Sequence, residues 1–377
     1  MLAWDNGPEK FTVACATGAT PDIYLDGWSR CSPAVAADLC IELGDLAADL
    51  KSVMKESYLE DGFYNGKQYY IANCDAGGYQ MGVNRELVEK LGVADLLPED
   101  HVHWSYADFT NFMQAVYDKS GGSTYGYAPF AGSQSSDAYW YSWILAAGGK
   151  ILNDDHTKFV GNSEQTIKFF HLWKDLSDKK LIPDGSATIK DEETNTLFYS
   201  GLVAAHHDSV GSQTTLNTMV ENGEVDGFTI DLYMVPTPDG GEPVNLASWG
   251  TDGFIVFKNG GDENVHNAAK KVIQKWLSTP EWGETYAVQT GRASVRLEPA
   301  TIDYGDDHLN EMGAMQSEWA AKYATADFGI LEPWWTEFRA SFYPQMQTIF
   351  TGDATAEEAA AAWEAAAQPI IDKGNAG

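Results

Sequence analysis

The hydrophobic spacing changes character several times between Asn65 and Gly92. Gln68 to Ala72 is a short β-rich run and Gly77-Gly78 interrupts it. Tyr79 to Asn84 then alternates, and Arg85 to Lys90 takes helical spacing closed by Gly92. The pattern predicts a strand, a glycine break, a second strand and a helix, which suits a chain crossing from one lobe to another. Elsewhere apolar positions recur at helical spacing over Leu46 to Leu59 and over Tyr106 to Lys119, the latter preceded by Trp104-Ser105 as entry and cap. A further helix runs from Ser163 to Lys179, with Phe169, Phe170, Leu172, Trp173 and Leu176 on its inner side. Asp353 to Asp372, rich in Ala and Glu, reads as a plain amphipathic helix. Helix and strand patterns alternate from Ile23 onward, so the expected class is α/β with helix-covered sheets.

With 377 residues, more than one domain is expected, because single cores rarely grow past roughly 250 to 300 residues. No run of 18 apolar residues is present to span a membrane as a helix. Fifty-five acidic against 24 basic residues leave a formal charge of −31, which argues against nucleic acid or an anionic membrane as partner, since both are bound through Lys and Arg. Four cysteines, Cys15, Cys31, Cys40 and Cys74, lack the CxxC spacing of a zinc site and read as buried thiols; a Cys31 to Cys40 disulfide stays open. The adjacent histidines His206 and His207 would point to opposite faces of a strand, so no metal is expected there. GxSxG, GxxxxGK[ST], GxGxxG and HExxH are all missing, so no enzyme and no cofactor are expected.

Several segments fall in the order of a known family. GATPDIYLD (Gly18 to Asp26), the Asn65 to Gly92 crossover, YSGLVAAHHDSVGS (Tyr199 to Ser212) and NLASWGTDGFIVFK (Asn245 to Lys258) are followed by a helical region, His266 to Arg292, and C-terminal helices, Phe350 to Asp372. In this order the chain resembles the extracellular solute-binding proteins of carbohydrate ABC importers, the group that includes maltose-binding protein. The resemblance implies a periplasmic-binding-protein-like fold of type II, with two α/β lobes joined by a hinge. One lobe would comprise 1–75 and 251–295, the other 79–247 and 296–377, with crossovers near 75–79, 247–251 and 295–301. It further implies an extracellular or periplasmic monomer, lipid-anchored at full length, that delivers a carbohydrate to membrane permease subunits. The family's opening strand, helix and strand have no counterpart before Pro21-Asp22, and Met1 to Asp5 show no secretion signal, so an N-terminal truncation is expected.

Thirteen tryptophans and 18 tyrosines suit a sugar site, because an aromatic face stacks on the C–H face of a pyranose while carboxylates and amides meet its hydroxyls. Trp173, Trp276 and Trp363 lie inside helical periods and read as core. The resemblance places Asp26 and Trp28 after the first strand, Asp75 and Tyr79 at the first crossover, and Trp249, Thr251 and Asp252 at the second. Trp335 matches the stacking aromatic of the maltose-binding type. Tyr139 and Trp140 precede a helix end, and Arg292 offers a fork of donors. Gly211 stands where the family often has a Trp, which shifts that contact to His207 or Asp208. Two rivals remain: a glycoside hydrolase, or the same fold binding a polyamine, a peptide or a glycerol phosphate ester.

Overall fold

The computed structural model describes residues 7–59, 62–75, 80–248, 250–282, 286, 292–298, 303–325, 328–330, 332 and 334–376. The chain divides into two compact units. The first comprises Met1–Gly77, Trp249–Asp306 and Ile330–Pro333; the second comprises Gly78–Ser248, Asp307–Gly329 and Trp334–Gly377.

The first unit is built on a four-stranded sheet in the order Ile23–Gly27, Thr251–Val256, Ile71–Asp75, Ala293–Ser294, with every neighbouring pair antiparallel. Its core strand therefore comes from much later in the chain than the two strands it joins. Leu25 pairs with Phe254 and Asp26 with Gly253, and the register slips between Asp252 and Gly253. Only glycine fits at 253, because a Cβ there would stand 2.4 Å from the Ile71 carbonyl oxygen and 2.6 Å from the Tyr70 ring. Helix Glu263–Ser278, capped by the Asp262 side chain, buries Ala269, Ile273 and Leu277. Helix Gly44–Leu50 buries Leu46, Ala47 and Leu50 in the same core.

Leu46 to Leu59 is not one helix. It breaks after Leu50 and resumes only at Glu56–Leu59. Between them the backbone turns outward to the 295–297 segment, Lys55 N–H donating to Val295 O and Leu297 N–H to Val53 O. Tertiary pairing here overrides an unbroken helical pattern.

The second unit has a four-stranded sheet in the order Tyr125–Tyr127, Val203–Asp208, Gln80–Asn84, Ile230–Tyr233. The first two strands are parallel, and Gln80–Asn84 runs antiparallel to both its neighbours. Asn84 caps helix Arg85–Leu91 and Gly92, at φ 67°, ends it in the left-handed region. Ser105 and Asp108 form a capping box on helix Tyr106–Lys119, and Thr355 and Glu358 do the same for Ala356–Asn375. The core is aromatic: Trp173 meets Trp140 at 4.9 Å and Trp143 at 5.2 Å, both near edge-on.

Candidate functional site

In each unit, candidate residues gather at one end of the sheet, the end next to the places where the chain leaves that unit. In the first unit Asp26 and Gly27 close their strand while Thr251 and Asp252 open the antiparallel neighbour, with Asp26 opposite Gly253 and Gly27 opposite Asp252, so the two carboxylates occupy adjacent register positions. Asp26 is buried. Tyr24 donates its hydroxyl to Asp26 Oδ2 at 2.7 Å, Gly27 N–H donates to Oδ1 at 2.8 Å, and Arg30 stands 3.7 Å away. Burial raises the Asp26 pKa, and the Arg30 charge and the Tyr24 bond only partly oppose it. Asp252, also buried, pairs with Arg292. Tyr70 ties this corner together by donating to the Thr251 carbonyl at 2.5 Å and the Asp26 carbonyl at 3.2 Å. Asp75 pairs through its backbone with Thr251 and Ala293. Tyr79 and Trp249 lie outside the described residues.

The corresponding end of the second unit's sheet carries Gln80 opposite Asp208 and Met81 opposite His207. Gly82 makes room for Asp208, whose Cβ would lie 2.5 Å from a Cβ at that position. Asp208 Oδ1 accepts from Ser209 N–H at 2.6 Å. His206 Nε2 stands 3.0 Å from Asp208 Oδ2, both side chains at or below 1% exposure, as a close contact without the alignment of a hydrogen bond. Burial lowers the His206 pKa more than the Asp208 charge raises it, so the ring is neutral near pH 7. On the opposite face of the strand His207 Nε2 meets Asp191 Oδ1 at 2.6 Å, and the Tyr139 ring lies on the imidazole at 3.6 Å between centroids. Burial works against Asp191 ionising. The His207 contact outweighs it, with help from His206 and Tyr139, and the pKa is lowered.

Three tryptophans offered as stacking platforms serve the cores instead. Trp28 is 8% exposed and packs edge-on against Tyr70. Trp140 is fully buried, its Nε1–H donating to the Phe130 carbonyl. Trp335 is fully buried too, stacked on Phe338 at 5.3 Å and set against Phe328 at 5.4 Å. As placed, none turns an open ring face outward. Tyr24, Tyr70, Gln80 and Asp191 were not singled out by the sequence, and His206 was weighed there only as a metal ligand. Tyr24 and Gln80 carried a usable signal, since each sits in a predicted strand close to a chosen carboxylate or crossover; Asp191 reaches His207 only through the tertiary fold. Among the described residues no group of three or more His, Cys, Asp or Glu is placed to hold a metal ion. A cavity of about 660 Å³ in the first unit, lined by Lys51, Met54, Leu59, Phe63 and Lys67, contains none of the candidate residues.

A model of the family described as bacterial extracellular solute-binding protein matches residues 2–284. A Brucella abortus protein that carries only the provisional name of binding protein is 24% identical over 366 residues, which cover 96% of this chain and 83% of that one. Among solved structures, the GacH receptor of Streptomyces glaucescens, determined unliganded and with acarbose, aligns with a TM-score of 0.76 at 16% identity over 98% of this chain and 89% of its own. An ABC transporter solute-binding protein from Thermotoga lettingae, bound with α-D-tagatose, aligns with a TM-score of 0.77 at 15% identity over 97% and 89%. At such identities the likeness establishes a shared fold.

Proposed function

We propose a function from a fixed premise: this chain belongs to the bacterial extracellular solute-binding protein family, and its fold is that of the two-lobed periplasmic sugar-binding proteins. On our reading it is the receptor of an ABC importer, which captures a mono- or oligosaccharide with groups from both units and hands it to the membrane permease. The family match carries this reading. No bond is made or broken; a ligand held by both units favours a closed state, and that difference in affinity drives closure.

The charge arrangement supports a neutral ligand over a polyamine. In the first unit Asp26 stands beside Arg30 and Asp252 pairs with Arg292, so these two buried carboxylates each have a cationic partner. Such paired groups leave lone pairs and N–H donors for hydroxyls, without a surplus of negative charge to attract an ammonium group.

A thermal-shift panel of neutral saccharides, a polyamine, short peptides and glycerol phosphate tests this. A saccharide at about 100 times its dissociation constant adds roughly 2.7 kcal/mol and raises the melting temperature. A shift with the polyamine, peptide or phosphate alone would overturn the reading, and release of nitrophenol from nitrophenyl glycosides would favour a hydrolase. Once a saccharide is found, Trp249→Ala, chosen because Ser248 and Gly250 flank it, is expected to weaken binding at least tenfold, or about 1.4 kcal/mol, by titration calorimetry.

A further inference from the structure

None of the four cysteines is joined in a disulfide; Cys31 and Cys40 belong to the first unit's core and Cys15 packs against it. Helix Gly7–Thr17 turns a single face inward: Gly7 and Phe11 are buried and Cys15 is half-buried, at spacing i, i+4, i+8, while Thr12, Val13 and Ala16 are exposed. The Phe11 ring stacks on Tyr24 at 4.2 Å and meets Phe257 at 6.0 Å. Phe257 in turn pairs across an isolated antiparallel bridge with Cys40. One helical turn beyond Phe11, on the same inward face, Cys15 packs against the core cluster that holds Cys40. Cys31 is fully buried and its S–H is directed to the Asp26 carbonyl at 3.7 Å.

Thiol–disulfide exchange has to begin at a sulfur that an oxidant can reach. Of the four, only Cys15 is not buried. We propose that Cys15 and Cys40 form a disulfide bond once the protein meets the oxidising environment outside the cell, with Cys15 the thiol that first reacts with the oxidant and Cys40 the resolving one. This rests on family membership and is independent of which ligand is bound. With a small disulfide as oxidant, the Cys15 thiolate displaces one thiolate from it and becomes a mixed disulfide. The Cys40 thiolate then attacks the Cys15 sulfur and releases the second. Two protein thiols lose two electrons and two protons, and one oxidant disulfide becomes two thiols. The bond would clamp the helix whose Phe11 holds Tyr24, the residue that donates to Asp26.

Reduced full chain incubated with oxidised glutathione, then denatured, alkylated with iodoacetamide and mapped by mass spectrometry, tests the proposal. Since burial raises the pKa of both thiols, that of Cys40 to about 12, the incubation is run at pH 8.5 for hours. The expected result is a peptide containing Cys15 linked to one containing Cys40, Cys31 and Cys74 alkylated, and a melting temperature several degrees higher that dithiothreitol reverses. Cys15→Ser, at a half-exposed position, should abolish both the protection of Cys40 and the thermal gain, whereas Cys31→Ser should leave both. A Cys31 to Cys40 link, glutathione retained on Cys15, or four alkylated thiols would each overturn it.

Discussion

Arg339 grips Asp137 through two hydrogen bonds of 2.7 and 2.8 Å, with the carboxylate fully buried and the guanidinium 7% exposed. Removing one partner leaves the other charge buried without its main support. Arg339→Met is therefore expected to cost about 3 to 5 kcal/mol in urea unfolding, and adding Asp137→Leu should restore a large part of it. Trp335→Ala is expected to cost a similar amount, about 3 to 5 kcal/mol, because its ring fills space among Phe328, Phe338 and Tyr141. If that variant unfolds at the parental urea midpoint, the ring is not the core element described above. These two sites also show where reading the sequence stops. A Trp ahead of a short helix looks the same whether its ring meets solvent or meets Phe328 and Tyr141, since those partners are set by tertiary folding. The pairing of Asp137 with Arg339 spans most of the chain and leaves no local trace. Asp26, Asp208 and Asp252 were singled out by the family resemblance, which no local spacing replaces.

At the scale of elements, loops are joined by titrating contacts. His103 Nδ1 lies 2.6 Å from Asp100 Oδ2 and its Nε2 lies 2.9 Å from Glu242 Oε2, while Lys322 and Tyr323, at the end of helix Asp307–Tyr323, also bind Glu242. The bond to Asp100 raises the His103 pKa, helped by Glu242. Backbone N–H donation from His103 lowers Asp100 to about 2, and Lys322 with Tyr323 lowers Glu242 to about 2. The signs differ. The His103 contribution is fully present below its unfolded pKa, near 6.5, and is lost as pH rises through its folded value, whereas the carboxylate contributions are present above about 4 and lost as pH falls toward 2. The His103 contribution to the unfolding free energy should thus decline modestly from pH 6 to 8.5, by no more than about 1 kcal/mol at so exposed a cluster. His103→Gln should flatten that decline; an unchanged slope would remove His103 as its source. The helix capped by Ser105 was readable because a cap is written within a few residues, and those capped by Ser163 and Thr355 were readable from their spacing and composition. The break after Leu50 was not, since the 295–297 segment that causes it is remote in sequence.

For the whole molecule, the chain passes between its two units at Gly77–Gly78, Ser248–Trp249 and Asp306–Asp307, among other points. If a saccharide is held by groups of both, saturating ligand should reduce the radius of gyration in small-angle scattering, and equal values with and without ligand would argue against hinge closure. The order of parts along the chain has a temporal consequence as well. The strand Thr251–Val256 lies between Ile23–Gly27 and Ile71–Asp75, yet it leaves the ribosome only after Gly78–Ser248, the larger part of the second unit, has been made. At about 5 to 20 residues per second, the nascent first unit waits on the order of ten seconds or more with both strands lacking the partner they share. During that interval Ile71, Ala72 and Leu25 have no completed sheet to enter. A chain arranged this way keeps the first unit's sheet open, and accessible to chaperones, until that strand arrives.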